Sequence, residues 1–172
     1  MNVYHNMIER VNVMIIQIKG KVNFNITLDP STFIFDDRKV EMDTIKNTIK
    51  LDDDTISFQD NYEWNREILE GGSKPPTLVS EKKYKKQQLL EGTFLMNLEP
   101  FITNAEPHKD ASIIKLTNDN DSAEISLNDL PKFYVQFSKD GKRLYDDGMV
   151  DAYVLEDTIN LKLAHVTGIE II

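Results

Sequence analysis

The chain contains no cysteine. That one absence removes disulfides, thiolate metal sites, thiol nucleophiles and cysteine-ligated cofactors together. It fits the reducing cytosol, although many secreted bacterial proteins also lack cysteine. Glycine is scarce, seven in 172 residues, and none falls in a Gly-x-Gly-x-x-Gly or Walker phosphate loop. No Gly-x-Ser-x-Gly elbow offers a nucleophilic serine. The three histidines, His5, His108 and His165, form no i, i+4 pair and no His-Glu-x-x-His motif. By pattern His5 belongs to a tail, His108 to a loop and His165 to the start of a strand. No apolar run approaches the ~20 residues of a membrane span. The opening segment 1–20 does not read as a signal peptide: its apolar core, Val11–Ile18, is short, is interrupted by Asn12 and Gln17, and is followed by no small-residue cleavage site. A cytoplasmic protein without metal or cofactor is the expectation.

Apolar residues make up 40% of the chain and charged residues 28%, ordinary for a soluble globular protein. The net charge of −9 disfavours broad binding to nucleic acid or to anionic membranes. The acidic runs LDDDT (51–55) and TNDNDSAE (117–124) resemble calcium ligands in composition only. Framed as an EF-hand from Thr117, the second places Ser122 where glycine is needed and Asn128 where the closing glutamate is needed. Both read as solvated turns.

Along the chain, Met14–Ile18 and Val22–Leu28 read as strands, the second alternating Val22, Phe24, Ile26 and Leu28 with polar residues. Asp29-Pro30-Ser31 breaks the pattern. Thr32–Phe35 and Lys39–Met42 then read as a hairpin about Asp36-Asp37-Arg38, and Thr44–Ile49 is open between strand and helix. Residues 51–60 read as a loop. Asp60 caps a helix ending at Gly71-Gly72, Pro75-Pro76 makes an extended connector, and Ser80 caps a second helix reaching about Leu90. Strands return at Gly92–Leu98, Ser112–Leu116, Ala123–Leu127, Met149–Leu155 and His165–Ile172. Leu130–Phe137 fits a strand by alternation and a helix by Asn128 and Pro131. The pattern predicts an α+β fold with a mostly antiparallel or mixed sheet and a two-helix insert near residues 60–91. Residues 1–13 stand before a single domain, 14–172, or before two lobes divided near 60–91. Either an extension or a short packed helix accounts for them.

The one charge anomaly is SKPPTLVSEKKYKK. Lys74, Lys82, Lys83, Lys85 and Lys86 supply five of the chain's 20 basic residues, with Tyr84 among them. That set would dock an acidic protein or a phosphorylated ligand, or it is a solvated helix face with Tyr84 turned inward. Phe24, Phe33, Phe35, Trp64, Phe94, Phe101, Phe133 and Phe137 read mostly as core. A shallow aromatic pocket among Phe24, Phe35, Trp64, Phe94 and Phe101 would suit a proline-containing peptide.

The run KVNFNITLDPSTFIFDDRKVEMD, with WNREILEG, KPPTL, LEGTFLMNLEPFITNAEP and FSKDGKRLYDDG after it, resembles a family of Firmicutes proteins commonly labelled peptidyl-prolyl cis-trans isomerase. The resemblance covers most of the chain from Met14. It implies prolyl isomerisation but assigns no catalytic residue, and no cyclophilin, FKBP-type or parvulin motif is present. A second resemblance runs from Ser122 to Ile172. SAEISLNDLPKFYVQFSKDGKRLYDDGMVDAYVL followed by HVTGIEII is similar to the closing segment of the sulfite-oxidase-type molybdopterin-binding domain. Its turns match Asp140-Gly141 and Asp147-Gly148. That family holds its metal through a cysteine, absent here, and only Arg143 stands where phosphate-binding arginines would be sought. A cofactor-free scaffold is what this likeness implies, and activity does not follow from it.

The leading expectation is therefore a non-catalytic binding or accessory protein whose surface is the lysine-rich helix. The alternative is a peptidyl-prolyl isomerase, and the second alternative a degenerate molybdopterin-domain-like scaffold without cofactor.

Overall fold

Ile16 and Ile18 alternate with Gln17 and Lys19, the period of a strand with one face buried. In the computed structural model, which describes residues 15–53, 83, 86, 87 and 89–172, this segment is β1 (Ile16–Gly20). It pairs antiparallel with β2 (Ile26–Leu28) and parallel with the last strand, β12 (Gly168–Ile171). Two further antiparallel strands, β5 (Ile113–Thr117) and β6 (Ser122–Ser126), complete a five-stranded mixed sheet in the order β2-β1-β12-β5-β6. On its solvent face, Lys19, Glu170, Lys115 and Glu124 stand side by side on four successive strands. Opposite charges thus meet at every step of this ladder, which suits a wetted sheet face.

The second five-stranded sheet is wholly antiparallel. Its order is β11 (Ile159–Val166), β10 (Val150–Leu155), β7 (Phe133–Gln136), β4 (Phe94–Asn97) and β3 (Val40–Glu41). Both its faces are covered, so β4 reads FLMN with no polar alternation until Asn97. Inward, Phe94, Met96, Phe133, Val135, Ala152 and Val154 meet Ile16, Ile18, Ile114, Leu116, Ile169 and Ile171 of the first sheet in one core. Burying each such large side chain contributes roughly 1.5–3 kcal/mol before conformational entropy is charged against it. Outward, Leu95 packs with Met42 and Ile45 of helix α1 (Met42–Asp53). The fold is α+β: a two-sheet sandwich carrying α1 on the outside of its antiparallel sheet.

Short elements join the layers. Helix α2 (Glu99–Asn104) follows β4, and Ile102 points from it into the core. A 3-10 turn, Leu127–Lys132, carries the chain from β6 to β7. β8 (Ser138–Lys139) and β9 (Lys142–Arg143) form a hairpin whose two loop residues, Asp140 and Gly141, have φ of 50° and 75°. Positive φ at both loop positions is the signature of a type I′ turn, matched to strand twist and favoured by Asp-Gly.

Several sequence expectations change. Thr32–Phe35 is not a strand: Pro30–Phe35 is a 3-10 helix, started by the Asp29 carboxylate accepting the Ser31 N–H. Lys39–Met42 supplies only the two residues of β3 before α1 begins. Helix α1 resolves the ambiguity at 44–49 and runs on into Asp53, so the expected loop starts later than residue 51. Val22–Leu28 keeps only Ile26–Leu28 as a strand. Asn23 and Phe24 donate their N–H groups to the carbonyls of Glu106 and Ala105, which draws the chain onto the end of α2 and leaves Phe24 exposed. Leu130–Phe137 is both things in turn, a 3-10 end and then β7. β11 begins at Ile159, so His165 lies near its end rather than at a strand start. The expected insert at 60–91 and the segment 1–13 lie outside the described residues, apart from 83, 86, 87 and 89–91, which are helical.

Candidate functional site

The 3-10 helix Pro30–Phe35 sets up an exposed aromatic. At three residues per turn, positions 30 and 33 share one side. Pro30 and Phe33 are the buried pair, and Phe33 packs against Phe101 and Phe137 with ring centroids at 5.5 and 5.6 Å. Phe35, two positions on, faces away and is 86% exposed. The next turn is rigidly held. Arg38 donates from Nε to Asp36 Oδ1 at 2.9 Å and from Nη2 to Oδ2 at 2.6 Å, and its backbone N–H also reaches Oδ1. These bonds, the side-chain pair first, lower the Asp36 carboxyl to about 2. The Arg38 guanidinium lies 5.0 Å above the Phe101 ring.

Behind Phe35 opens a cleft of about 570 Å³ lined by Ile34, Phe35, Val40, Leu89 and Phe94, with Asp37, Lys39, Glu41 and Thr44 at its polar edges. Lys39 Nζ lies 5.8 Å above the Phe94 ring and donates to the Asp36 carbonyl. The wall formed by Leu89 ends at a fixed point. Met42 donates its N–H to the Thr93 carbonyl, Gly141 its N–H to the Gly92 carbonyl, and Asp140 its N–H to Thr93 Oγ1.

Of the lysine-rich set, Lys83 and Lys86 are helical and exposed. Lys74, Lys82, Tyr84 and Lys85 lie outside the described residues, as does Trp64. Leu90 is 63% exposed, and its neighbour Leu89 lines the cleft. Of the five aromatics expected to form a pocket, Phe35 and Phe94 line one, while Phe101 packs against Phe33 and under Arg38 and Phe24 is exposed elsewhere.

A polar group on the far end of the antiparallel sheet escaped the sequence reading. Asp151, buried on β10, accepts the Tyr145 hydroxyl at 2.7 Å and the His165 backbone N–H at 2.9 Å on the same Oδ1. The His165 ring meets Asp147 Oδ2 through Nε2 at 2.5 Å, and the Tyr145 ring stands edge-on to it. Burial first, then the bond to Asp151 and that carboxylate's charge, push the Tyr145 hydroxyl up to about 12. Burial opposes charge on Asp147, yet the Met149 amide and the His165 ring together hold its carboxyl below the usual range. Among the described residues no group of three or more His, Cys, Asp or Glu is placed to hold a metal ion. None of their helices is long and apolar enough to cross a membrane.

No protein-family model matches the chain, and no curated protein matches it in sequence.

Proposed function

We propose that the protein is a non-catalytic binding protein that captures an extended, proline-containing peptide segment bearing acidic residues. The observation that carries this reading is Phe35, 86% exposed at the mouth of the cleft of about 570 Å³. An exposed phenylalanine costs free energy in water, and an aromatic rim over an apolar floor is the surface on which a proline ring packs well. Proline-rich segments are already extended, so docking them sacrifices little entropy. The acidic requirement comes from Lys83 and Lys86, both helical and exposed shortly before Leu89 of the cleft wall in the sequence, in a chain whose net charge of −9 would otherwise repel such a segment.

A second reading, peptidyl-prolyl isomerisation, has one observation in its favour: two of the aromatics expected to form its pocket line the same cleft. One experiment separates them. Synthetic peptides with a Phe-Pro pair, preceded by glutamates in one and followed by glutamates in another, are titrated with the full chain. Exchange NMR follows cis–trans interconversion. Saturable binding of one peptide without a rate gain supports capture. Binding with a rate gain makes the protein an isomerase. No binding of either peptide at high protein concentration overturns both readings.

A further inference from the structure

We infer that the His165–Asp147 contact is a pH-sensitive latch fastening the turn at residues 144–149 to the end of β11. The latch stands apart from the Phe35 cleft and does not depend on the peptide reading.

β10 and β11 pair out of step near this point. Val150 faces Val166, but Ala152 faces Leu163 and Tyr153 faces Leu161, so β11 carries extra residues. The slack is taken up around His165, whose φ of 52° is left-handed, a conformation uncommon for any residue but glycine. Such a bulge re-aims a side chain. Here it turns the imidazole out of the ladder toward the turn, while the His165 N–H is satisfied by Asp151 rather than by a strand. The left-handed residue is thus held from both ends by carboxylates: Asp151 on its backbone and Asp147 on its ring.

The turn depends on that second contact. Gly148, with φ of 73°, donates its N–H to the Tyr145 carbonyl at 3.0 Å, and Met149 donates to Asp147 Oδ1 at 3.1 Å. One Asp147 oxygen therefore shapes the turn and the other grips the histidine. The groups facing the imidazole are Asp147 and Tyr145 from the turn and Asp151 from β10, two carboxylates and a phenol. β5 and β6 also approach β11, and the loop between them places Asn118, whose amide holds the Ala164 carbonyl. A protonated imidazole makes an ion pair here. A neutral one keeps at most a single hydrogen bond, with the remaining charge unbalanced. Both partners of the pair are about one-third exposed, so protons reach them without unfolding.

The test is amide hydrogen exchange of the full chain by NMR across the pH range in which the His165 ring resonances titrate, corrected for the intrinsic pH dependence of exchange. Protection of Gly148 and Met149 should fall about fivefold as His165 loses its proton, the size of a partly exposed ion pair. Asp147→Asn and His165→Asn should abolish that fall. Asparagine at 165 accepts a left-handed backbone, so the second variant removes the ring and keeps the bulge. Protection that stays constant through the wild-type titration overturns the latch, as does a fall that persists in His165→Asn. The wild-type curve alone decides if either variant fails to fold.

Discussion

Gly141 donates its N–H to the Gly92 carbonyl at 2.9 Å, and a Cβ at position 141 would stand 1.7 Å from the Leu90 carbonyl oxygen. The Asp-Gly hairpin is therefore pressed against the backbone that carries Leu89, the wall of the cleft. Gly141→Ala should lose about 2–4 kcal/mol, since it adds left-handed strain to a clash with fixed backbone. Asp140→Gly, at a φ of 50° without such a clash, should change stability by only a few tenths of a kcal/mol. Urea unfolding of both variants checks the contrast.

Glu170 stands between Lys19 and Lys115 in the charge ladder of the mixed sheet. Glu170→Lys would set three like charges in a row. The expected loss is about 0.5–1 kcal/mol at low salt, shrinking as ionic strength rises. A loss independent of salt would mean that the residue acts through packing.

Tyr145 provides a pH signature. Its folded-state hydroxyl titrates at about 12, above the ordinary phenol value near 10. Because the raised group is neutral in the fold, its contribution is fully present below about pH 10 and is lost as pH rises through about 12. Ultraviolet titration should show late tyrosinate formation, to which burial also commits Tyr153, and the Tyr145 part of it should disappear in Tyr145→Phe. The same variant should cost about 1–2 kcal/mol at neutral pH, because Asp151 loses a hydrogen-bond donor in a buried position.

Asp36 gives the matching signature at low pH. Its folded-state carboxyl titrates at about 2, below the ordinary value of 3.8, so its contribution is present above that ordinary value and is lost as pH falls through about 2. Arg38→Gln should remove the larger, side-chain part of this acid dependence and leave the part carried by the backbone N–H of residue 38. Carboxylate titration followed by NMR measures it.

Much of the sheet structure was legible in the sequence. Ile16 and Ile18 announced a strand because one face of their sheet is apolar and the other wet, the TNDNDS turn announced a hairpin, and the apolar run at Phe94–Met96 announced a strand covered on both faces. The Asp-Gly turn at 140–141 was legible for a local reason, since few other dipeptides accept positive φ twice.

Long-range competition accounts for what stayed hidden. Phe24 sits in perfect alternation with Ile26 and Leu28, but its N–H finds the Ala105 carbonyl, some eighty residues away, and the strand never extends that far. Phe35 looked like core because Phe33 and Phe35 share a strand face. A 3-10 helix puts them on different sides, and the clue was Pro30 with Phe33 three residues later, directly after an Asp that can cap. The Asp147–His165 contact spans eighteen residues and depends on a bulge. No spacing rule encodes it. The lysine-rich set was legible as a charge anomaly, and the described structure adds that Lys83 and Lys86 are exposed and helical.

The central claim, peptide capture at the Phe35 cleft, is tested most directly by titrating the Phe-Pro peptides into wild-type protein and Phe35→Ala. Phe35 is 86% exposed, so its removal should leave stability within about 0.5 kcal/mol while weakening binding at least tenfold. Equal affinity of the two proteins for the peptide would contradict the account.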